Sequence, residues 1–284
     1  MRLAGAPISW GVCEAPDWGY ELPPEVVLAQ LRSLGLDATE LGPTGYLGTD
    51  VRATLEPYGL RLVGGFLPVP MHCATAGDLA AAAAAIATLA AAGAEVVVLA
   101  ARSADGSYDR RVTLTETEWR VLVFTLDSLR QVAAGHGLTA TLHPHVGTAI
   151  EDRASVRRLL EDSDVPLCLD TGHLLIGGTD PVELIATVPD RIAHVHLKDV
   201  RASVAASVAG GDVSYVGAVR AGLYVPLGEG DVDIAGIVRG LTDSGYPGWY
   251  VLEQDTALDG PPAPDTGPVE DVRRSLAYLE KVTG

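Results

Sequence analysis

Short apolar runs alternate with longer amphipathic stretches from one end of the chain to the other. Eight runs read as strands: 3–9, 36–41, 60–66, 95–100, 138–143, 166–170, 191–197 and 249–253. Most are continuously apolar and bounded by turn residues, the pattern of parallel strands buried on both faces. Between them lie segments with helical spacing: 23–34, 50–58, 76–92, 114–136, 151–161, 180–189, 231–243 and 267–283. Several open on start signals. Asp78 precedes the alanine-rich "LAAAAAAIATLAAA" (79–92), Thr115 has Glu118 three residues on, and Asp180 stands before Pro181.

Eight strand–helix units in 284 residues predict an α/β fold, one (β/α)8 barrel over residues 1–284. The rival, a doubly wound open sheet, is weakened because no GxGxxG follows the first strand. No Pro/Ser-rich linker divides the chain. The long connection 200–230, rich in glycine and small residues, predicts a loop over the barrel mouth that carries a short helix or two and closes over substrate.

Composition narrows the class. With 48% hydrophobic residues the chain can bury a large core. Its longest apolar stretch, 79–92, is too short to span a bilayer and is made of a strong helix former, so no membrane association is expected. The N-terminal "MRLAGAPISWGV" lacks the layout of a secretory signal, which predicts a cytoplasmic protein. A formal net charge of −17 repels phosphate backbones, so no nucleic-acid partner is expected, and a polyphosphate substrate is disfavoured. Cys13, Cys73 and Cys168 are odd in number and far apart; each is expected to be buried and structural rather than part of a disulfide or zinc pair.

Four strands end in polar residues: His143 in "LHPHVGTAIE" (142–151), Asp170 in "PLCLDTGH" (166–173), His196 in "RIAHVHLKD" (191–199) and Glu253 in "WYVLEQD" (249–255). Singly, each has a structural explanation; Asp170 can cap the following turn, and a buried histidine usually finds a hydrogen bond. Together they close four successive strands. Barrel enzymes place their sites at that rim, and neighbouring strands are about 4.8 Å apart. Two imidazoles and two carboxylates suit one divalent ion such as Mn, Co, Zn or Fe.

The chain resembles the xylose-isomerase-like barrel superfamily of sugar isomerases and epimerases, and within it the inosose dehydratase (2-keto-myo-inositol dehydratase) family. The resemblance rests on "APISWGV" (6–12), "TELGPTGYL" (39–47), "LHPHVGTAIE", "LCLDTGHLLIGGTDP" (167–181), "RIAHVHLKDV" (191–200), "VPLGEGDVDI" (225–234) and "GYPGWYVLEQD" (245–255), over nearly the whole chain. It implies a metal held at Asp170, His196 and Glu253. The superfamily's first glutamate ligand falls at His143 here, with His145 or Glu151 as alternatives. It implies a small polyol or sugar substrate, water elimination from a keto-inositol through an enediolate in inositol catabolism, and a homodimer or homotetramer. The alternatives are a ketose isomerase or epimerase on the same barrel, or a non-catalytic sugar-binding barrel.

Further candidates follow. The resemblance implies that His173 contacts substrate. His173, Lys198 and Glu40 are the expected acid–base groups; Lys198 shares the strand face of His196, and Glu40 closes the second strand. Trp10, His145 and Glu229 are expected to touch substrate, Trp10 as an apolar floor under the ring and Glu229 from a glycine-flanked loop. His72, after the third strand, is a weaker candidate.

Overall fold

The computed structural model describes residues 1–15, 18–263 and 265–284. The barrel strands are β1 Arg2–Gly5, β2 Ala38–Thr39, β3 in two pieces (Arg61–Leu62 and Gly64–Val69), β4 Val96–Ala101, β5 Thr139–Leu142, β6 Leu167–Asp170, β7 Ile192–Leu197 and β8 Trp249–Leu252. The paired order starts at Arg61–Leu62, passes through β2 and β1 to β8, then runs back through β7, β6, β5 and β4 to Gly64–Val69. Its two ends are the two pieces of one strand. Val63 joins them: its N–H donates to the Thr39 carbonyl at 2.9 Å, and its own carbonyl accepts from Glu95 and Val96 at 2.8 and 3.1 Å. The sheet thus closes into the expected (β/α)8 barrel, which leaves no unpaired edge.

Every residue of β4 is buried, which is why it reads as an unbroken apolar run: one face looks into the barrel and the other onto the helices. The first strand is shorter than expected. Pro7 has no N–H for a ladder, and Pro7–Trp10 forms a 3-10 turn ended by Gly11 at φ 81°. The alanine helix, Ala76–Ala92, keeps its expected bounds but is capped by Thr75, with Asp78 inside its first turn. Thr75 Oγ1 accepts from the Asp78 N–H at 3.2 Å, and the Asp78 carboxylate accepts from the Thr75 N–H at 2.8 Å. The Thr115/Glu118 and Asp180 caps stand as expected.

One helix was not legible. A six-residue helix, Thr171–Ile176, follows β6 directly and is too short to show periodicity. The 200–230 connection carries two short helices, as expected, Ala202–Gly210 and Tyr215–Arg220, and adds an antiparallel pair that was not expected, Asp199–Val200 with Tyr224–Val225. Asp199 organises the "PLGEGD" turn by accepting from the N–H groups of Gly228, Gly230 and Val232 at 2.8, 3.0 and 3.0 Å. Among the described residues no helix is long and apolar enough to cross a membrane. The cysteines divide: Cys168 is buried, Cys13 half-buried, and Cys73 exposed, against the expected burial of all three.

Candidate metal centre and active-site cleft

The strand ends meet. One ligand atom from each of His143, Asp170, His196 and Glu253 lies within 4.8 Å of the others, and all four residues are buried. Register explains the convergence: Asp170 is level with His196 across β6 and β7, and His196 with Val251 across β7 and β8.

Asp170 caps a helix with one oxygen and faces the cluster with the other. Its Oδ1 caps the Thr171–Ile176 helix, accepting from the N–H groups of Gly172 and His173 at 2.9 and 2.8 Å. That fixes the carboxylate and aims Oδ2 at His143 Nε2, 3.1 Å away. The helix needs glycine at position 172, where a side chain would collide with Lys198 Cβ.

His196 is held from the other side. Glu40 Oε1 lies 3.1 Å from His196 Nε2 and 2.8 Å from His194 Nε2. His196 Nδ1 then faces Glu253 Oε2 at 2.9 Å and Asp170 Oδ2 at 3.6 Å, yet has no partner in hydrogen-bond geometry. A buried ring nitrogen left without a bond, amid two carboxylates and a second imidazole, is what a cation site requires. The donor set fits the divalent ion expected from the sequence. Cys168 also reaches the His143 and His196 rings, and burial pushes its thiol up to about 11.

A cleft of about 170 Å³ opens above this cluster. Its polar wall continues the strand periodicity. His145, Lys198 and Asp255 each lie two residues beyond a cluster residue, and all three line the cleft. Its other wall is aromatic, with Trp18, Phe66, Tyr108 and Tyr215. Gly147, at φ 72°, lets the Tyr108 backbone pack directly against the "HPHVGT" turn, which brings the Tyr108 and His145 rings to 4.8 Å.

Lys198 Nζ stands 3.0 Å from Glu253, 3.6 Å from Asp170 and 2.5 Å from Asp255. Burial works against its charge, but the Asp255, Glu253 and Asp170 carboxylates outweigh it and hold the ammonium well above the usual lysine value. One cation does not balance three carboxylates. Burial, with Glu253 beside it, leaves Asp255 the reluctant one, its carboxyl raised. For Glu253 and Glu40 burial is overcome by His196, which with Lys198 and His194 respectively keeps them low. His145 is the opposite case. Burial first, then His143, drive it down to about 3, so the ring is neutral. Its Nδ1 donates to the Val146 carbonyl at 2.7 Å, which leaves Nε2 as the acceptor.

Other expected site residues lie elsewhere. Trp10 is fully buried in the core and donates its indole N–H to Gln30 at 2.7 Å, because the 3-10 turn rotates it inward; it does not line the cleft. Glu229 points outward from its turn and pairs with Arg274 at 2.8 Å. His173 lies behind His145, ring centroids 3.7 Å apart, with Nε2 3.3 Å from Lys198 Nζ; it touches the polar wall but does not line the cleft. Glu151 accepts from the Gly147 N–H at 3.1 Å and stays outside the cluster. His72 is buried away from the cleft.

Sequence reasoning missed Asp255, Tyr215, Tyr108, Trp18 and Phe66. Asp255 carried a signal, two residues beyond Glu253 as Lys198 is beyond His196. Lys198 carried another: it is one of only two lysines in the chain, Lys281 being the other, so a generic surface lysine was a poor description of it.

The chain matches the family described as a xylose isomerase-like TIM barrel over residues 28–282. It is 32% identical to the inosose dehydratase of Geobacillus thermodenitrificans (strain NG80-2), covering 100% of this chain and 98% of that one. It is 32% identical to the rhizopine catabolism protein MocC of Rhizobium meliloti, over 90% of this chain and 82% of that one. A solved structure of the IolI protein with a bound zinc atom superposes with a TM-score of 0.71 at 15% identity, covering 99% and 98% of the two chains.

Proposed function

Because the chain belongs to the inosose dehydratase family of xylose isomerase-like TIM barrels, we propose that it is a hydro-lyase that removes water from a keto-inositol, 2-keto-myo-inositol, in inositol catabolism. The observation that carries the reading is one cleft with opposed proton chemistry: a neutral imidazole and a charged lysine above a four-donor cation site. Paired groups whose surroundings push their pKa values apart are the arrangement that acid–base elimination needs.

His143, Asp170, His196 and Glu253 would hold one divalent ion, Mn, Co, Zn or Fe. When bound, the ion supplies Lewis acidity toward a ketone oxygen and its neighbour. The protein's own groups do the rest. His145 Nε2 accepts the proton on the carbon next to the carbonyl. Lys198 gives a proton to the departing β-hydroxyl, which leaves as water. The substrate becomes the enol of a dione, and a proton passing from His145 back to Lys198 resets the pair. Glu40 already holds two imidazoles on one oxygen and is kept ionised, so its part is to orient His196. The aromatic wall offers flat faces to the ring's C–H edges. A cytoplasmic location and a homodimeric or homotetrameric assembly belong to the same proposal.

The test is to incubate the metal-loaded protein with 2-keto-myo-inositol in deuterated water and follow dione formation and deuterium uptake. Dione formation supports the dehydratase. Deuterium entering recovered substrate with no dione would mean proton abstraction without elimination, and an epimerase or isomerase would replace it.

A further inference from the structure

We propose that Asp255 is a positioning residue that latches the inserted segment to the reacting lysine, so that Lys198 takes its working place only when the insert is seated. The proposal rests on the dehydratase reading for the identity of the reaction.

Asp255 is buried three residues past the end of β8, and its two oxygens serve different parts of the molecule. Oδ1 accepts from Lys198 Nζ at 2.5 Å. Oδ2 accepts from the Tyr215 hydroxyl at 2.5 Å. Tyr215 belongs to the insert between β7 and β8 and opens the helix Tyr215–Arg220. Its hydroxyl also meets the Tyr224 hydroxyl at 2.9 Å, and its backbone N–H donates to Asp109 at 2.7 Å, on the loop that carries Tyr108. Through its hydroxyl and its backbone N–H, one tyrosine thus ties the insert, a neighbouring rim loop and a barrel strand end together.

Asp255 differs from the other carboxylates around Lys198. Asp170 and Glu253 belong to the cation cluster; Asp255 does not. With those two committed to a cation, Asp255 is the carboxylate left to hold the ammonium. Its own second oxygen is buried, and a buried carboxylate oxygen without a donor is costly. Tyr215 supplies that donor. If the insert lifts, Asp255 loses its donor, and the geometry at Lys198 loosens with it.

The experiment uses the full chain as Tyr215→Phe, Asp255→Asn and the double variant, with metal content measured in each. Amine acetylation is read by peptide mass spectrometry, Lys198 against Lys281, the chain's only other lysine. Both single variants should keep their metal and acetylate Lys198 at least about tenfold faster relative to Lys281. Turnover of the keto-inositol should fall on the order of 10²-fold, the scale of a roughly 1 Å misplacement of a reacting group. The double variant should be no worse than the poorer single, because the two residues act as one unit. Additive losses, or unchanged Lys198 acetylation, would overturn the latch. If Asp255→Asn does not fold, acetylation in Tyr215→Phe alone decides. If the wild type forms no dione, the dehydratase reading fails, while acetylation still tests the latch.

Discussion

His196 gives its Nε2 to Glu40 at 3.1 Å and leaves its Nδ1 for the cation cluster. That contact selects the tautomer: with the proton on Nε2 satisfied by a carboxylate, Nδ1 presents its lone pair. Glu40 is thus placed to orient His196 toward the proposed cation site. Glu40→Gln should weaken metal affinity about 10- to 100-fold, the usual cost of losing such an outer partner. Chelator competition measures it, and wild-type affinity in a folded Glu40→Gln protein would count against the role.

Metal binding should release protons. In the metal-free protein burial opposes a charge on His196, but Cys168, Glu253 and Glu40 beside it outweigh burial and hold its pKa well above 6.5. The ring is then protonated at neutral pH, and an ion must displace that proton. Affinity should fall as pH drops through the neutral range. Calorimetric titrations in buffers of different ionisation heat should show proton release at pH 7; heats independent of buffer would sink the assignment.

The same shifts set the stability of the metal-free protein. The raised His196 contributes stability that is full below its unfolded value and is lost as pH rises through its folded one. Glu40 and Glu253, whose carboxyls are depressed from 4.5, contribute stability that is present above that value and lost as pH falls below it. His145, His173 and His194 add to this: burial keeps each neutral in the fold, so each costs stability as pH falls below 6.5, and thermal midpoints of the metal-free protein should peak in the neutral range. A midpoint still climbing into alkaline pH would contradict the His196 shift.

Lys198→Met and His145→Ala should each cost on the order of 10²–10⁴ in turnover while metal content stays at wild type, the worth of a positioned proton-transfer group. His173→Ala should cost less, because His173 backs the polar wall without lining the cleft. A His173 variant poorer than the His145 variant would return the base to His173.

Amide exchange across residues 202–220 should slow when a non-reactive keto-inositol analogue binds, as the insert seats Tyr215 over the cleft. Exchange unchanged throughout the insert would argue against a closing lid.

The barrel was legible from the chain alone because burial on both faces leaves a local mark. β4 reads as a continuous apolar run since each of its residues is covered, and caps such as Thr115 with Glu118 announce helices within four residues. The cation cluster was legible for a related reason. Parallel strands bring all their C-terminal ends to one rim, so His143, Asp170, His196 and Glu253 needed only to end four strands to become neighbours. What tertiary structure decided is where polar side chains go once strand periodicity stops. Trp10 follows a proline-led turn into the core, and Glu229 is turned outward because Asp199 gathers the backbone around it. Asp255 and Tyr215, 40 residues apart, meet because the insert folds back over the mouth of a closed barrel. Periodicity is a property of neighbours along the chain, whereas that contact depends on barrel closure and the packing of an irregular segment, which leave no repeating trace in sequence.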